Sequence, residues 1–189
     1  MSKKEAYISV DVETSGPNPS QYSLLSIGAC TLDEPQKTFY CELKPVNRNA
    51  LPRALEVSQL SMNELAEKGL EPQEAMTRFE TWLEATVPEG HIPVFVAFNA
   101  GYDWMFVNDY FHRYLGRNPF GHTALDIKSY YMGSKGTIWQ ETSKAFLSPL
   151  YLDNQSLTHH ALQDAIDQGR MFKLILKENS NIKTKGDKR

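Results

Sequence analysis

The chain has few of the features that mark secreted, membrane-embedded or disulfide-stabilised proteins. Its 189 residues include two cysteines, Cys30 and Cys41, without metal-ligand spacing or a disulfide framework. We expect both to be buried thiols on neighbouring strands. No apolar run approaches the roughly 18 residues of a membrane span, and the first ten residues lack the apolar stretch of a secretory signal. We therefore expect a cytoplasmic protein that does not contact a membrane.

The chain also lacks an excess of positive charge. Its 20 lysine and arginine residues are outnumbered by 23 acidic residues, which gives a formal net charge of −3. This balance argues against a broad basic surface for duplex DNA, although a bound cation can supply positive charge where a phosphate docks. Internal repeats and low-complexity segments are absent from the sequence. The length suits one domain with a sizeable core.

Apolar patterns predict five strands and three long helices. The predicted strands are 7–13, 23–32, 37–45, 93–99 and 123–127, and the long helices are 71–87, 102–115 and 159–179. Short turns join the first three strands, which favours an antiparallel meander. The nearly continuous apolar run 93–99 is typical of a strand that is covered on both faces. The sequence therefore predicts an α/β fold with a mixed five-stranded sheet, a meander followed by parallel strands, and helices on both faces.

The last predicted helix, 159–179, has a core stripe at helical spacing. The stripe consists of Leu162, Ile166, Gly169 and Phe172. The preceding residues, 134–158, are predicted to be irregular apart from one helical turn. The polar, Lys-rich end of the chain, 179–189, is predicted to be a flexible tail, which leaves residues 1–178 as the folded domain.

Four carboxylates fall at the ends of predicted strands or in predicted helices. Asp11 and Glu13 are two residues apart in the first strand, so their side chains point the same way. Asp103 follows the buried strand, and Asp164 lies in the last helix. Taken alone, each acid is typical of a solvated strand end, of a helix N-terminus or of a helix surface. In sheets with parallel strands, however, such strand ends are where functional sites form.

A cluster of these four acids needs a counterion, because the carboxylates would repel one another strongly at low dielectric. Hard divalent cations with oxygen ligands remove that cost, and two such ions about 3.5–4 Å apart support phosphodiester hydrolysis. His159 lies five residues before Asp164, about 500° around a helix, so the two cannot share one face of a regular helix. If both residues serve one site, His159 must therefore precede the helix or lie in a distorted first turn, where it could serve as general base for water.

Three segments together resemble the motifs of a known family. D-V-E-T-S-G at 11–16, F-N-A-G-Y-D at 98–103 and H-H-A-L-Q-D-A at 159–165 are similar, in order and spacing, to the three exonuclease motifs of the DnaQ-like, or DEDDh, 3′–5′ exonucleases. The resemblance extends from Tyr7 to about Leu176. It implies a ribonuclease H-like fold and two Mg²⁺ or Mn²⁺ ions. It also implies that the protein removes nucleoside 5′-monophosphates from a single-stranded 3′ end of DNA or RNA.

The resemblance also implies a role for each acid and for one histidine. Asp11 would bridge both ions, and Glu13 and Asp164 would complete the ligands of the catalytic one. Asp103 would act on the second ion, directly or through water. His159 would be the general base, whereas the neighbouring histidine occupies a variable position of the motif.

Four further residues are candidate substrate contacts through the same resemblance. The backbone around Thr14 would bind the terminal nucleotide, and Asn99 would give hydrogen-bonding support. Leu60, in V-S-Q-L-S, would be a wedge against the terminal bases. Phe98 replaces a common histidine and is either a base-stacking residue or a core residue that ends a buried strand. This departure, together with Ser58–Gln59 in place of a common His-Gly, affects substrate contacts and leaves the metal ligands intact.

Two alternatives to this interpretation remain open from the sequence. The first is a catalytically idle module that holds a nucleic-acid end or a protein partner on the same fold; the complete set of acids with His159 argues against it. The second keeps the chemistry and changes the substrate among RNA trimming, clearance of short oligonucleotides and DNA proofreading. RNA specificity needs a contact to the 2′-hydroxyl, and the sequence assigns no residue to that contact. The sequence also leaves open a separate protein partner and a homodimer.

Overall fold

The computed structural model of the chain describes residues 4–152 and 159–186. The strands are β1 (Lys4–Thr14), β2 (Leu24–Thr31), β3 (Thr38–Glu42), β4 (His91–Ala97) and β5 (Ala124–Asp126). The α-helices are α1 (Pro52–Ser58), α2 (Met62–Lys68), α3 (Pro72–Thr86), α4 (Gly101–Leu115), α5 (Ile127–Lys135), α6 (Lys144–Tyr151) and α7 (Ala161–Gly186), and a 3₁₀ helix, Trp139–Thr142, separates α5 from α6. Within these described ranges, no helix combines the length and the apolar character that are needed to cross a membrane.

The five strands form one mixed sheet in the order β3-β2-β1-β4-β5. Strand β1 is antiparallel to β2, and β2 is antiparallel to β3. Strand β4 runs parallel to both β1 and β5. The predicted meander followed by parallel strands is therefore confirmed. The carboxyl ends of β1 and β4 lie side by side, which is the position where sites form in such sheets.

Two hydrophobic clusters cover the two faces of the sheet. Helices α3 and α4 pack aromatic residues such as Phe79 and Phe106 against one face of β1 and β4. Helices α5, α6 and α7 cover the other face, where Phe172 and Val96 are fully buried. Strand β4 contributes to both clusters through alternate residues, since successive side chains of a strand point to opposite faces. The nearly continuous apolar run of β4 follows from this double burial.

The two cysteines lie where the sequence indicated. Cys30 is in β2 and Cys41 is in β3, and the two strands are hydrogen-bonded neighbours. Both side chains are buried free thiols. Burial raises the pKa of each thiol to about 12, so they behave as core side chains.

The C-terminal third of the chain differs from the sequence-based prediction in two respects. Residues 144–151 form helix α6, two turns where the sequence indicated one. Helix α7 buries Gly169 and Phe172 but leaves Leu162 and Ile166 partly exposed, so half of the predicted core stripe is wrong. Residues 153–158 of the predicted irregular segment lie outside the described residues. The described part of the chain also ends within the predicted tail, 179–189, whose boundary stays a prediction.

Candidate active site

Three carboxylates meet at the carboxyl end of β1. Asp11 and Glu13 share one face of the strand, and Asp164 enters from the first turn of α7. One carboxylate oxygen from each of the three lies within 4.8 Å of the others. Asp164 is buried, whereas Asp11 and Glu13 are half-buried. The face of β1 that carries Asp11 and Glu13 is therefore acidic and partly accessible to solvent.

Asp103 completes the set from a third element. It lies in the first turn of α4, is 5% exposed, and its Oδ1 accepts a hydrogen bond from the backbone N–H of Val12 at 3.1 Å. This bond fixes the start of α4 to the strand segment between Asp11 and Glu13. The structure therefore brings together all four acids that the sequence analysis singled out, with Asp103 beside the tighter group of three.

Burial and the neighbouring acids strongly perturb the pKa values of Asp11 and Glu13. Burial, and then the negative charges of Asp103 and Asp164, raise the pKa of Asp11 well above its usual range. The same causes raise the pKa of Glu13 to about 8. Without a cation the cluster therefore retains protons at neutral pH. A set of crowded oxygen donors that cannot all ionise fits a hard divalent cation, which favours carboxylate ligands and removes the repulsion.

A lysine also acts on the cluster. Burial raises the pKa of Asp103, as it does those of Asp11 and Glu13, and the positive charge of Lys144, the first residue of α6, partly offsets the rise in all three. This lysine is 41 residues distant from Asp103 in sequence and belongs to no motif, and the sequence analysis missed it. Its ammonium group is the cation through which α6 contributes to the electrostatics of the site.

The chain enters α7 through two histidines. His159 is exposed and has a left-handed backbone, with φ of 51°. It lies two residues before the helix begins at Ala161, as its separation from Asp164 required. The ring of His160 stacks on Tyr40 of β3, with centroids 4.6 Å apart, and its carbonyl accepts the backbone N–H of Asp164 at 3.0 Å. The start of α7 is therefore attached to the edge strand of the sheet.

A cavity of about 340 Å³ opens beside Glu13. Its walls come from the end of β1, the loop that follows, helix α1 with the residue before it, and helix α4: Val12, Glu13, Thr14, Gly16, Pro17, Leu51, Arg53, Ala54, Val57 and Tyr102. The Tyr102 hydroxyl is 2.6 Å from Thr14 Oγ1 and donates to the Gly16 carbonyl at 3.2 Å. Tyr102, which the sequence analysis did not select, thus links the start of α4 to the loop after β1.

Of the other predicted substrate contacts, one lines the cavity and the rest lie outside it. Thr14 lines the cavity, whereas Leu60 lies between α1 and α2 and is not among the lining residues; Val57 of α1 is. Asn99 is exposed with φ of 68°, and its carbonyl accepts the backbone N–H of Tyr102 at 3.0 Å.

Phe98 directly follows β4 and is half-buried. One part of the ring packs on the core cluster beneath α7. Lys128 and Lys144 each place their Nζ 6.0 Å from the ring centroid. The side chain is therefore both a packing residue and part of the surface beside the acids.

Comparison with known proteins agrees with this geometry. Residues 8–172 match the sequence model of the RNase_T family, which is described as exonuclease. The 3′–5′ DNA exonuclease Cap18 of Escherichia coli is 48% identical over 172 residues, which cover 91% of this chain and 92% of that protein.

Solved structures show the same fold at low sequence identity. The nuclease domain of 3′hExo, a DEDDh family member bound to rAMP, superposes with a TM-score of 0.77 and 15% identity and covers 93% of both chains. Exonuclease I of E. coli in complex with a dT13 oligonucleotide superposes with a TM-score of 0.70 and 18% identity, over 95% of this chain and 42% of that one.

Proposed function

We propose a substrate for this chain and a role for each residue of its active site. The chain belongs to the DnaQ-like, or DEDDh, exonuclease family and is a 3′–5′ exonuclease with a ribonuclease H-like fold. The family and fold that the three motifs implied are confirmed. The proposed reaction is the hydrolysis of the terminal phosphodiester of single-stranded DNA, with Mg²⁺ or Mn²⁺ and with a nucleoside 5′-monophosphate as product. The observation that carries it is the group of three carboxylates within 4.8 Å of one another, with one of them, Glu13, in the wall of a cavity.

The metal ligands are the four acids. Asp11, Glu13 and Asp164 would hold one ion, and Asp103 would serve the second together with Asp11. Such ions, when bound, stabilise the attacking and leaving oxygens of an in-line displacement at phosphorus. The cluster is suited to them because its carboxylates come from β1 and from α4 and α7, which each pack against β1 and hold the acids in place.

His159 is the proposed general base. Its side chain is exposed and lies off the regular helix, so its ring can approach a water molecule above the acids without being fixed to the face of α7. A positioned imidazole that accepts the proton of the attacking water contributes about 10²–10⁴-fold to a rate. The stacked His160 ring holds the adjacent backbone in place.

The cavity beside Glu13 is the proposed pocket for the terminal nucleotide. A volume of about 340 Å³ lies at the small end of the range for ligand pockets, roughly 300–1,000 Å³. Leu51, Ala54 and Val57 supply an apolar wall for the base, and Thr14 supplies polar groups near the sugar. A pocket of this size takes one unpaired nucleotide, which favours a single-stranded 3′ end.

DNA is the proposed polymer because the relative at 48% identity is a DNA exonuclease. The test is a panel of single-stranded and duplex DNA and RNA oligonucleotides, matched in sequence and labelled at the 5′ end, with Mg²⁺, Mn²⁺ or chelator. We expect stepwise shortening from the 3′ end, fastest on single-stranded DNA, with 5′-monophosphates as products. Faster cleavage of RNA than of DNA would overturn the choice of polymer, and 3′-monophosphate products would overturn the reaction.

The same panel tests the catalytically idle module. That alternative requires no shortening of any oligonucleotide with either metal, while binding of a 3′ end is retained. The complete set of four acids and His159, in the arrangement described, argues against it.

A further inference from the structure

A second group of side chains lies beside the acids and takes no part in the cavity. It consists of Phe98, Lys128, Trp139 and Lys144, which we call the aromatic–lysine patch. Phe98 directly follows β4, Lys128 lies in the first turn of α5, Trp139 begins the 3₁₀ helix and Lys144 begins α6. None of the four is among the residues that line the cavity beside Glu13.

The patch alternates cations with aromatic rings. Lys128 Nζ lies 4.0 Å from the centroid of the Trp139 ring and 6.0 Å from that of Phe98. Lys144 Nζ also lies 6.0 Å from the Phe98 centroid. Trp139 is 50% exposed and its neighbour Ile138 is 60% exposed. The chain has a net charge of −3, yet this patch combines two lysines with a large exposed indole ring. Such a surface suits an anionic ligand that carries flat rings.

The patch is continuous with the acids. Lys144 is close enough to Asp11, Glu13 and Asp103 for its charge to act on all three, and it approaches Phe98 at the same time. The series from the acids through Lys144, Phe98 and Lys128 to Trp139 therefore leads from the reaction centre to an exposed aromatic ring. The cavity for the terminal nucleotide also adjoins the acids, at Glu13, but its walls come from the end of β1, α1 and α4.

We propose that the aromatic–lysine patch binds the nucleic-acid strand on the 5′ side of the scissile phosphodiester, with bases stacked on Trp139 and Phe98 and phosphates paired with Lys128 and Lys144. This inference rests on the proposed function, since it takes the cavity as the pocket for the terminal nucleotide. Stacking platforms combined with basic residues are the means by which proteins bind single strands without reading sequence. The patch would give the enzyme affinity for long strands that a one-nucleotide pocket does not provide.

The test compares two substrates on each variant. One is a single-stranded DNA of about 20 nucleotides, long enough to span the patch; the other is the p-nitrophenyl ester of thymidine 5′-monophosphate, which ends at the scissile bond. Trp139→Ala and Lys128→Gln should each lower the ratio of kcat/KM for the oligonucleotide to kcat/KM for the ester about tenfold, as expected for the loss of one stacked base or one phosphate contact. Lys128→Gln should also flatten the salt dependence of oligonucleotide binding by about 0.7 in the log–log slope.

Conservative and distant variants complete the design. Trp139→Phe and Lys128→Arg retain a ring and a charge and should restore most of the ratio. Ile92→Ala and Lys37→Gln are the matched controls: both residues are exposed, Ile92 pairs with Glu5 and Lys37 precedes β3, away from the carboxyl end of β1. Neither control should change the ratio.

The outcomes separate the two proposals. If the unmodified chain cleaves neither substrate, the proposed function fails. If it cleaves both and the ratio survives Trp139→Ala and Lys128→Gln, the reaction stands and the patch proposal is overturned in favour of a purely structural Lys128–Trp139 contact. A changed molecular mass for Trp139→Ala in solution, with an unchanged ratio, would instead identify the patch as an interface between copies of the chain and would equally overturn the proposal.

Discussion

The side-chain amide of Gln168 donates a hydrogen bond from Nε2 to the carbonyl of Val10 at 2.8 Å. Its Oε1 accepts the backbone N–H of Phe98 at 2.7 Å. The last backbone pair between β1 and β4 is Ser9 with Val96, so the two strands separate immediately before the acids. Gln168 of α7 fills the gap with the hydrogen bonds that the strands no longer make to each other. The site thus opens between two parallel strands without leaving their backbone groups unpaired.

Replacement of Gln168 by an apolar residue of similar size should destabilise the protein, because two hydrogen bonds are lost. Gln168→Leu leaves a buried donor and a buried acceptor without partners, at about 1–3 kcal/mol for each. We expect the free energy of unfolding in urea to fall by roughly 2–6 kcal/mol. Gln73→Leu, at an exposed position of α3, should change it by less than about 0.5 kcal/mol. Equal effects of the two variants would contradict the bridging role.

Asp11 should affect activity and metal-free stability in opposite directions. Asp11→Asn removes a carboxylate whose ionisation is disfavoured by the negative charges of Asp103, Asp164 and Glu13. Even groups that only support metal ligands are worth about 10–100-fold, so we expect kcat/KM to fall by more than about a hundredfold. In chelator the same variant should melt at a higher temperature, because folding no longer requires residue 11 to take up a proton or to hold a negative charge beside the other acids. Asp33→Asn, at an exposed loop position, is the control for both measurements, and retained activity in Asp11→Asn would refute the site assignment.

The metal-free protein should lose stability as the pH rises. The pKa of Glu13 is about 8 in the folded protein, against 4.5 for an ordinary glutamate. Between these values the folded state holds a proton that the unfolded chain has released, so the free energy of unfolding falls as pH increases through this window. The raised pKa of Asp11 acts in the same direction. We expect the Tm in chelator to fall from about pH 5.5 to pH 8.

Addition of a divalent cation should reverse this trend, because metal binding displaces the retained protons. The rise in Tm on addition of Mn²⁺ should therefore be larger at about pH 8 than at pH 6. Glu13→Gln removes the titrating group and should reduce the slope of Tm against pH. A Tm in chelator that increases over the same range would show that the acids are not crowded as described.

Residue spacing allowed part of the site to be predicted from sequence. Asp11 and Glu13 share a face because side chains alternate in a strand, and that rule needs no tertiary information. The offset between His159 and Asp164 correctly required a break before the helix. The arrival of Asp103 and Asp164 at the same point came from the resemblance and from the general position of sites at strand ends.

The orientation of α7 could not be predicted in the same way. A helical wheel assigns apolar residues to the core, but α7 turns Asp164, Asp167 and Gln168 toward the sheet, with exposures of 4%, 8% and 1%. Asp164 is buried as one of the acids and Gln168 as the bridge across the gap between β1 and β4, and both positions depend on tertiary structure. Lys144 was missed for a similar reason, since its effect on the acids depends on how α6 packs.

The two histidines before α7 should differ in their effect on catalysis. His159→Ala removes the proposed base and should lower kcat about 10²–10⁴-fold with little change in KM. His160→Ala removes the stack on Tyr40, loosens the chain that carries His159, and should have a smaller effect on kcat. His160→Phe retains a ring for the stack and should restore activity to the unmodified level. A larger loss for His160→Ala than for His159→Ala would reverse the assignment of the base.

Gly28 determines how closely α7 approaches the acids. Gly28 pairs with Asp11 across β1 and β2, and a Cβ at this position would lie 2.2 Å from the Ala161 carbonyl carbon and 2.2 Å from the Leu162 nitrogen. Gly28→Ala therefore pushes the start of α7 away from the strand that holds Asp11. We expect a loss of roughly 1–3 kcal/mol of stability, as for other overpacked sites, and a loss of activity in excess of the loss of folded protein.

Gly133→Ala is the matched control for Gly28→Ala, because it lies within α5 with no atom near its Cβ and should instead stabilise the helix by up to about 1 kcal/mol. The measurements are urea denaturation and kcat/KM on the same preparations. If Gly28→Ala lowers stability but leaves kcat/KM unchanged under conditions where the protein is folded, then the acids tolerate a displaced helix. In that case the position of Asp164 would be set by the Gln168 bridge to Val10 and Phe98, which lies one helical turn further along α7, and no longer by the close contact at Gly28.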